Sequence, residues 1–286
     1  MRRRDFLKAL SAGVILGSFE PLSFVSATQL FPQSQGFSRS DIDSSIKDYI
    51  HKMQNFDQPH SGDIYLEKEL LPVLHNCVLR LNRLQRIIGH GNFHLLSFDD
   101  GMTIARNYSK VGRFSREELD FLERIFYTDS AKYGFWGDKP INNMTTSIKK
   151  SEVVKIPRSG SYLYRGVPQE TYEKIRKHVG DKLYLTSGIR GVMKQFLLFL
   201  NKTDINKGNL SLASRSLAPP GYSFHGISDF DVGQVGYGAL NFTGSFTATE
   251  VFKKLDALQY VTIRYPKDNL KGVRFEPWHI KVYHGA

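Results

Sequence analysis

The first sustained periodicity begins at Leu66, with Leu66, Leu70, Leu74, Val78, Leu81, Leu84 and Ile88 recurring every three or four positions. That spacing lays them along one face of a helix, and Gly89 supplies the stop. A second helix starts at Ser115, where Ser-Arg-Glu-Glu sets Glu118 in place for a capping box, and Leu119, Leu122, Ile125 and Phe126 form its apolar stripe. A third is predicted over 170–179, ending at Gly180. Before these elements, residues 28–62 are polar and read as a lead-in with one short helix around 42–53.

Beyond Gly180 the pattern changes. LYLTSG, YVTIRY and HIKVY are short runs rich in β-branched and aromatic residues between turn formers, and read as strands. GVMKQFLLFLN and ATEVFKKLDAL between them read as helices. The expected fold is therefore α+β: a small, mainly antiparallel sheet with packed helices, preceded by a mainly helical N-terminal region. The expected division is 1–27, 28–150 and 151–286.

The opening MRRRDFLKALSAGVILGSF alters the picture of where such a domain works. Arg3 and Arg4 precede Asp-Phe-Leu-Lys, an apolar stretch follows, and Val25-Ser26-Ala27 offers a small-residue cleavage site, which is the order of an export signal. The paired arginines resemble the twin-arginine signal, implying the twin-arginine export machinery and a periplasmic or extracellular destination. The apolar run is too short to span a bilayer. Cleavage after Ala27 is expected to leave a soluble chain with no stable membrane anchor.

Cys77 is the single cysteine, so no intramolecular disulfide forms, and its apolar neighbours suggest a small core residue. The formal charge is +11, and removing the signal's four basic and two acidic residues leaves +9. That balance suits an anionic polymer such as a cell wall. No basic cluster interleaved with stacking aromatics is present, so no nucleic-acid partner is expected.

The chemistry concentrates in two stretches, GYSFHGISDFDVG and RFEPWHIKV. A zinc hydrolase needs three protein ligands, an open position for water and a carboxylate to take that water's proton. His225, Asp229 and Asp231 lie in the first stretch, Glu276 and His279 in the second. Extended chain between His225 and Asp231 would part them by roughly 20 Å, so the chain must bend for both to reach one ion, and Gly226 and Ser228 are suitable turn residues. Pro277 keeps EPWH out of a helix interior or central strand and implies a loop or the start of a strand. His90-Gly-Asn-Phe-His94 lacks the glutamate of a helical two-histidine motif and reads as a loop. Trp278 reads as packing beside the site, and His284 as part of a solvated tail.

Four ordered segments, SGIRG (187–191), KQFLLFLNK, ASRSLAPPGYSFH and VRFEPWHIKV, resemble the motifs of VanY-like D-alanyl-D-alanine carboxypeptidases, over about residues 183–284. These are zinc peptidases of bacterial cell-wall stem peptides, sharing a metal fold with D-Ala-D-Ala dipeptidases, lysostaphin-type enzymes and hedgehog domains. The resemblance implies Zn2+ held by His225, Asp231 and His279, with Glu276 as general base and Arg190 polarising the scissile carbonyl. It also implies peptidoglycan stem peptides as partners, with Ser223, Gln195, Tyr222 and Ser216 at the substrate. One departure stands out: the family's aspartate follows its histidine by seven residues, whereas Asp231 follows His225 by six, leaving Asp229 in reserve. An endopeptidase or L,D-carboxypeptidase with the same zinc centre is the alternative, and a wall-binding protein with a relict site is the alternative of another class.

Overall fold

The computed structural model describes residues 39–283, with side chains from Ser44 onward; the signal-like segment 1–27, the residues up to 38 and His284 lie outside these. Helix α1 covers Arg39–Gln54. The stripe that begins at Leu66 does not start a helix there. A 3₁₀ turn at Lys68–Leu70 comes first and α2 runs Leu71–Ile88, because Pro72, lacking an N–H, belongs in a helix's first turn. Gly89, at φ 86°, ends α2 in a conformation open to glycine, and the chain winds again at once as the short helix α3, His90–Phe93, where a loop was expected.

Helix α4 spans Phe98–Asn107, capped by the Ser97 hydroxyl, and α5 spans Arg116–Tyr127 with the Ser115–Glu118 capping box formed in both directions. The Glu118 carboxylate also receives Nε and Nη2 of Arg80, a residue of α2, which fastens these two helices together. A two-stranded hairpin follows, β1 (Val153–Lys155) with β2 (Tyr162–Tyr164), then α6 (Val167–Val179) with Pro168 in its first turn. The rest of the chain forms β3 (Leu183–Ser187), α7 (Val192–Ile205), α8 (Leu210–Ser214), β4 (Phe230–Gln234), α9 (Glu250–Asp256), β5 (Thr262–Ile263) and β6 (His279–Lys281).

Four of these strands make an antiparallel sheet in the order β3-β4-β6-β5, giving the mixed α+β architecture the pattern suggests. Two apolar clusters hold it. Leu183, Leu185, Phe230, Val232 and Ile280 on one face of the sheet pack with Ile175 of α6 and Val251 of α9. The other cluster joins α2, α4 and α5 to Phe196, Phe199 and Leu200 of α7, so the apolar core runs across position 150 without a break. Cys77 is fully buried in it. From Ser44 on, the described residues form one compact unit. Among them, no helix is long and apolar enough to cross a membrane.

Candidate active site

Strand register does much of the assembly. Asp231, in β4, lies opposite His279 of β6 on one side and Ser187 of β3 on the other. Directly opposed residues in an antiparallel pair share a face with Cβ atoms about 4.5–5.5 Å apart. Phe230 and Val232 point into the sheet's apolar cluster, and the alternation of the strand turns Asp231 the other way. An irregularity between Leu185 and Ser187 shifts the end of β3 just before the SGIRG turn.

His225 arrives by a different route. A 3₁₀ turn at Phe224–Gly226 folds the chain back, with the amides of Ile227, Ser228 and Asp229 all bonding the Phe224 carbonyl. Gly226 permits this because a Cβ there would lie 2.3 Å from Ile141 Cδ1 and 2.9 Å from Gln195 Nε2. The six-residue separation thus collapses to 3.2 Å between His225 Nε2 and Asp231 Oδ1.

The side-chain network fixes which ring nitrogens face inward. His225 Nδ1 donates to the Gly188 carbonyl at 2.7 Å, so its Nε2 turns to Asp231. His279 Nε2 donates to Asp229 Oδ2 at 3.1 Å, which leaves Nδ1 facing Glu276 Oε2 at 3.1 Å and Asp231 Oδ1 at 3.7 Å. His225, Asp231 and His279 are buried and each offers one ligand atom within 4.8 Å of the others. Zinc bonds of about 2.0–2.2 Å in a tetrahedral arrangement place ligand atoms about 3.3–3.6 Å apart, which the spacings around Asp231 approach, and two imidazoles with one carboxylate are an ordinary zinc donor set. The residues therefore fit such an ion.

The two histidines differ in their electrostatics. Burial, then the charge of Arg190, lowers the pKa of His225 and keeps its imidazole neutral. Burial opposes a charge on His279, but hydrogen bonds to Asp229 and Glu276 outweigh it and hold its pKa up at about 9. Asp231 and Asp229 are driven the other way by burial, yet their histidine and arginine neighbours keep both carboxyls well below the usual range. Asp229 stands outside the ligand group. Its oxygens accept from Arg264 Nε at 2.6 Å and Nη2 at 2.9 Å, from His279 and from the Val282 amide, so it orients His279 from behind.

Arg190 lines the cleft, its Nε donating to Ser187 Oγ and its Nη2 to Asp231 Oδ2. Arg190, Gln195, Ser216, Ser223 and Glu276 line a cleft of about 200 Å³ together with His225, Asp231 and His279. Gln195 is fully engaged: Nε2 donates to the Arg190 carbonyl and Oε1 accepts from Gly221 N–H, so it clamps the SGIRG turn to the PPGYS loop. Tyr222, expected at the substrate, does not line the cleft; its ring packs in the helical core edge-on to Phe135, where burying the aromatic face is more favourable. Trp278 is buried at the cleft wall.

Several contributors escaped the sequence reading. Tyr265 lines the cleft and meets His279 edge-on, its ring centroid 5.2 Å away. Arg264 and Arg274 were given no role, although Arg264 stands in the strand-like run YVTIRY and Arg274 in VRFEPWHIKV, both between Asp231 and His279. His94 Nδ1 donates to the Ile189 carbonyl and supports the SGIRG turn.

An α+β domain with a buried His-Asp-His donor set and a carboxylate beside it has the make-up of a single-metal site with three protein ligands and one open position. Residues 169–286 match the model of the VanY family, described as D-alanyl-D-alanine carboxypeptidase. No curated protein matches the chain. Among solved structures, that of the LdcB LD-carboxypeptidase, described as revealing the molecular basis of peptidoglycan recognition, aligns at 23% identity with a TM-score of 0.39, covering 47% of this chain and 69% of that one.

Proposed function

We propose that the protein is an exported zinc carboxypeptidase that removes the terminal D-alanine from peptidoglycan stem peptides. The observation that carries this reading is the convergence of His225 Nε2, Asp231 Oδ1 and His279 Nδ1, with Glu276 Oε2 3.1 Å from His279, inside the segment that matches the VanY family. The paired arginines and small-residue site of the N-terminus agree with action outside the cytoplasm.

His225, Asp231 and His279 would hold zinc, which when bound supplies Lewis acidity toward a water and the scissile carbonyl. Glu276 takes a proton from the attacking water as the new C–O bond forms, then returns it to the amine nitrogen as the C–N bond breaks. Arg190 faces the cleft and offers its cationic edge to the carbonyl oxygen as negative charge develops there. Ser223 and Ser216 present hydroxyls along the cleft to a peptide.

The test is a pair of substitutions three residues apart. His279→Ala removes a ligand, so zinc content and turnover of purified muropeptides fall together. Glu276→Gln keeps the shape but not the proton acceptor; it retains zinc and fold and loses about 10²–10⁴ in rate. An active Glu276→Gln enzyme, or one emptied of zinc, removes Glu276 from the role of base. Wild-type protein without zinc or muropeptide turnover rejects the whole reading.

A further inference from the structure

The arginines near the site are not equally committed. Arg215, deeply buried, donates to both Asp63 oxygens and to the carbonyls of Phe56 and Gln58. Arg264 is occupied by Asp229, and Arg190 by Ser187 and Asp231. Arg274 differs: its guanidinium has no hydrogen bond among the described residues, and its Nε is buried without a partner. The nearest carboxylate oxygen is Glu276 Oε1, 4.0 Å from that Nε and beyond hydrogen-bonding reach. A largely desolvated cation held only by this long ion pair, with no hydrogen bond, stays incompletely satisfied unless another group completes it.

The surroundings of Arg274 hold it still. Its guanidinium carbon lies 4.3 Å from the centroid of Phe56 and 4.8 Å from that of Trp278, so aromatic rings fix the planar group while its edge stays free to hydrogen-bond. Arg274 lines the same cleft as Glu276, His225, Asp231 and His279. A planar, fixed guanidinium presents a fork that matches a carboxylate in two parallel hydrogen bonds. Any anionic group entering this cleft also meets the charge of Glu276, and Arg274 beside it offsets that repulsion.

We infer that Arg274 receives the C-terminal carboxylate of the substrate and so makes the cleft select chain ends over internal peptide bonds. This rests on the carboxypeptidase reading above and adds its exo-specificity. Phe56 belongs to the N-terminal region whose role the sequence left open, and here it helps to build that specificity.

The experiment compares zinc-loaded wild type, Arg274→Gln and Arg274→Lys on two peptides, a stem peptide ending in D-Ala-D-Ala with a free carboxylate and the same peptide as its C-terminal amide. Wild type is expected to favour the free acid. Arg274→Gln should raise KM for the free acid by about 10- to 100-fold with little change in kcat, leave the amide unaffected, and so abolish the preference. Arg274→Lys keeps the charge but not the fork, and should restore part of the preference; it carries the test if the glutamine variant fails to fold. Equal losses on both peptides with either variant, or no loss on either, overturn the role of Arg274 while leaving the carboxypeptidase reading intact. Wild type inactive on both peptides overturns both.

Discussion

Asp229 and Asp231 are two residues apart, both buried and both in contact with His279, and replacing each by asparagine separates their functions. Asp231 contributes the oxygen that lies near both histidines, so Asp231→Asn should prevent the protein from retaining zinc through gel filtration. Asp229 acts on His279 through Nε2, and its carboxylate, which can only accept, holds the proton on that nitrogen and keeps Nδ1 turned to the ligand group. An amide in its place can offer N–H to Nε2 instead, which favours the opposite tautomer and sets the proton on Nδ1. Losing such an orienting partner typically lowers metal affinity 10- to 100-fold, about 1.4–2.7 kcal/mol. The same change weakens the pair with Arg264, whose two donors converge on Asp229, so the variant should also melt at lower temperature. Competition titration of apo-protein against a chromophoric zinc chelator reads affinity, and thermal unfolding with and without zinc reads the structural part. Two results refute the reasoning: wild-type zinc affinity in Asp229→Asn, or a loss as complete as that of Asp231→Asn, which would make Asp229 itself a ligand.

Burial of Asp63 works against its charge, but Arg215, Asn209 and the His60 amide together lower its pKa from 3.8 to about 2. Because the folded value is depressed, the stabilisation is complete above the unfolded pKa and disappears as pH falls through about 2. It amounts to about 2 kcal/mol, so the urea-unfolding gap between wild type and Asp63→Asn should be of at least that size at pH 7 and shrink between pH 4 and pH 2; a pH-independent gap contradicts it. Gly188→Ala would set a Cβ 2.0 Å from the Tyr162 carbonyl oxygen and displace the carbonyl that orients His225. About 1–3 kcal/mol of stability should be lost, with weaker zinc binding in the same chelator titration. Replacing Arg3 and Arg4 by lysine should leave precursor in the cytoplasm on cell fractionation; unchanged export indicates the general secretory route.

Much of this protein follows from local pattern. The helices over Leu71–Ile88 and Arg116–Tyr127 could be read from apolar periodicity and a capping box, since both signals act within a few residues. The metal-ligand candidates could be picked out as residue types in two short motifs, and the bend between His225 and Asp231 followed from distance alone. Strand β4 could not, because FDVGQ is five residues long, includes a glycine and is buried at both its apolar and its polar positions, so its identity depends on the partners β3 and β6. The choice of Asp231 over Asp229 rested in sequence on resemblance alone, since one residue of spacing separates two equal carboxylates. The register opposing Asp231 to His279, with Arg264 bonded to Asp229 behind the ring, supports the proposed roles of ligand and orienter. The packing of Tyr222 against Phe135 was hidden for the same kind of reason: a motif specifies which residues are present, whereas the direction a ring takes is set by the core it can reach. Sequence thus determined the elements and the inventory of chemical groups, both products of short-range physics, and the tertiary structure decided which groups face the cleft, because that depends on contacts between residues as far apart as Phe56 and Arg274.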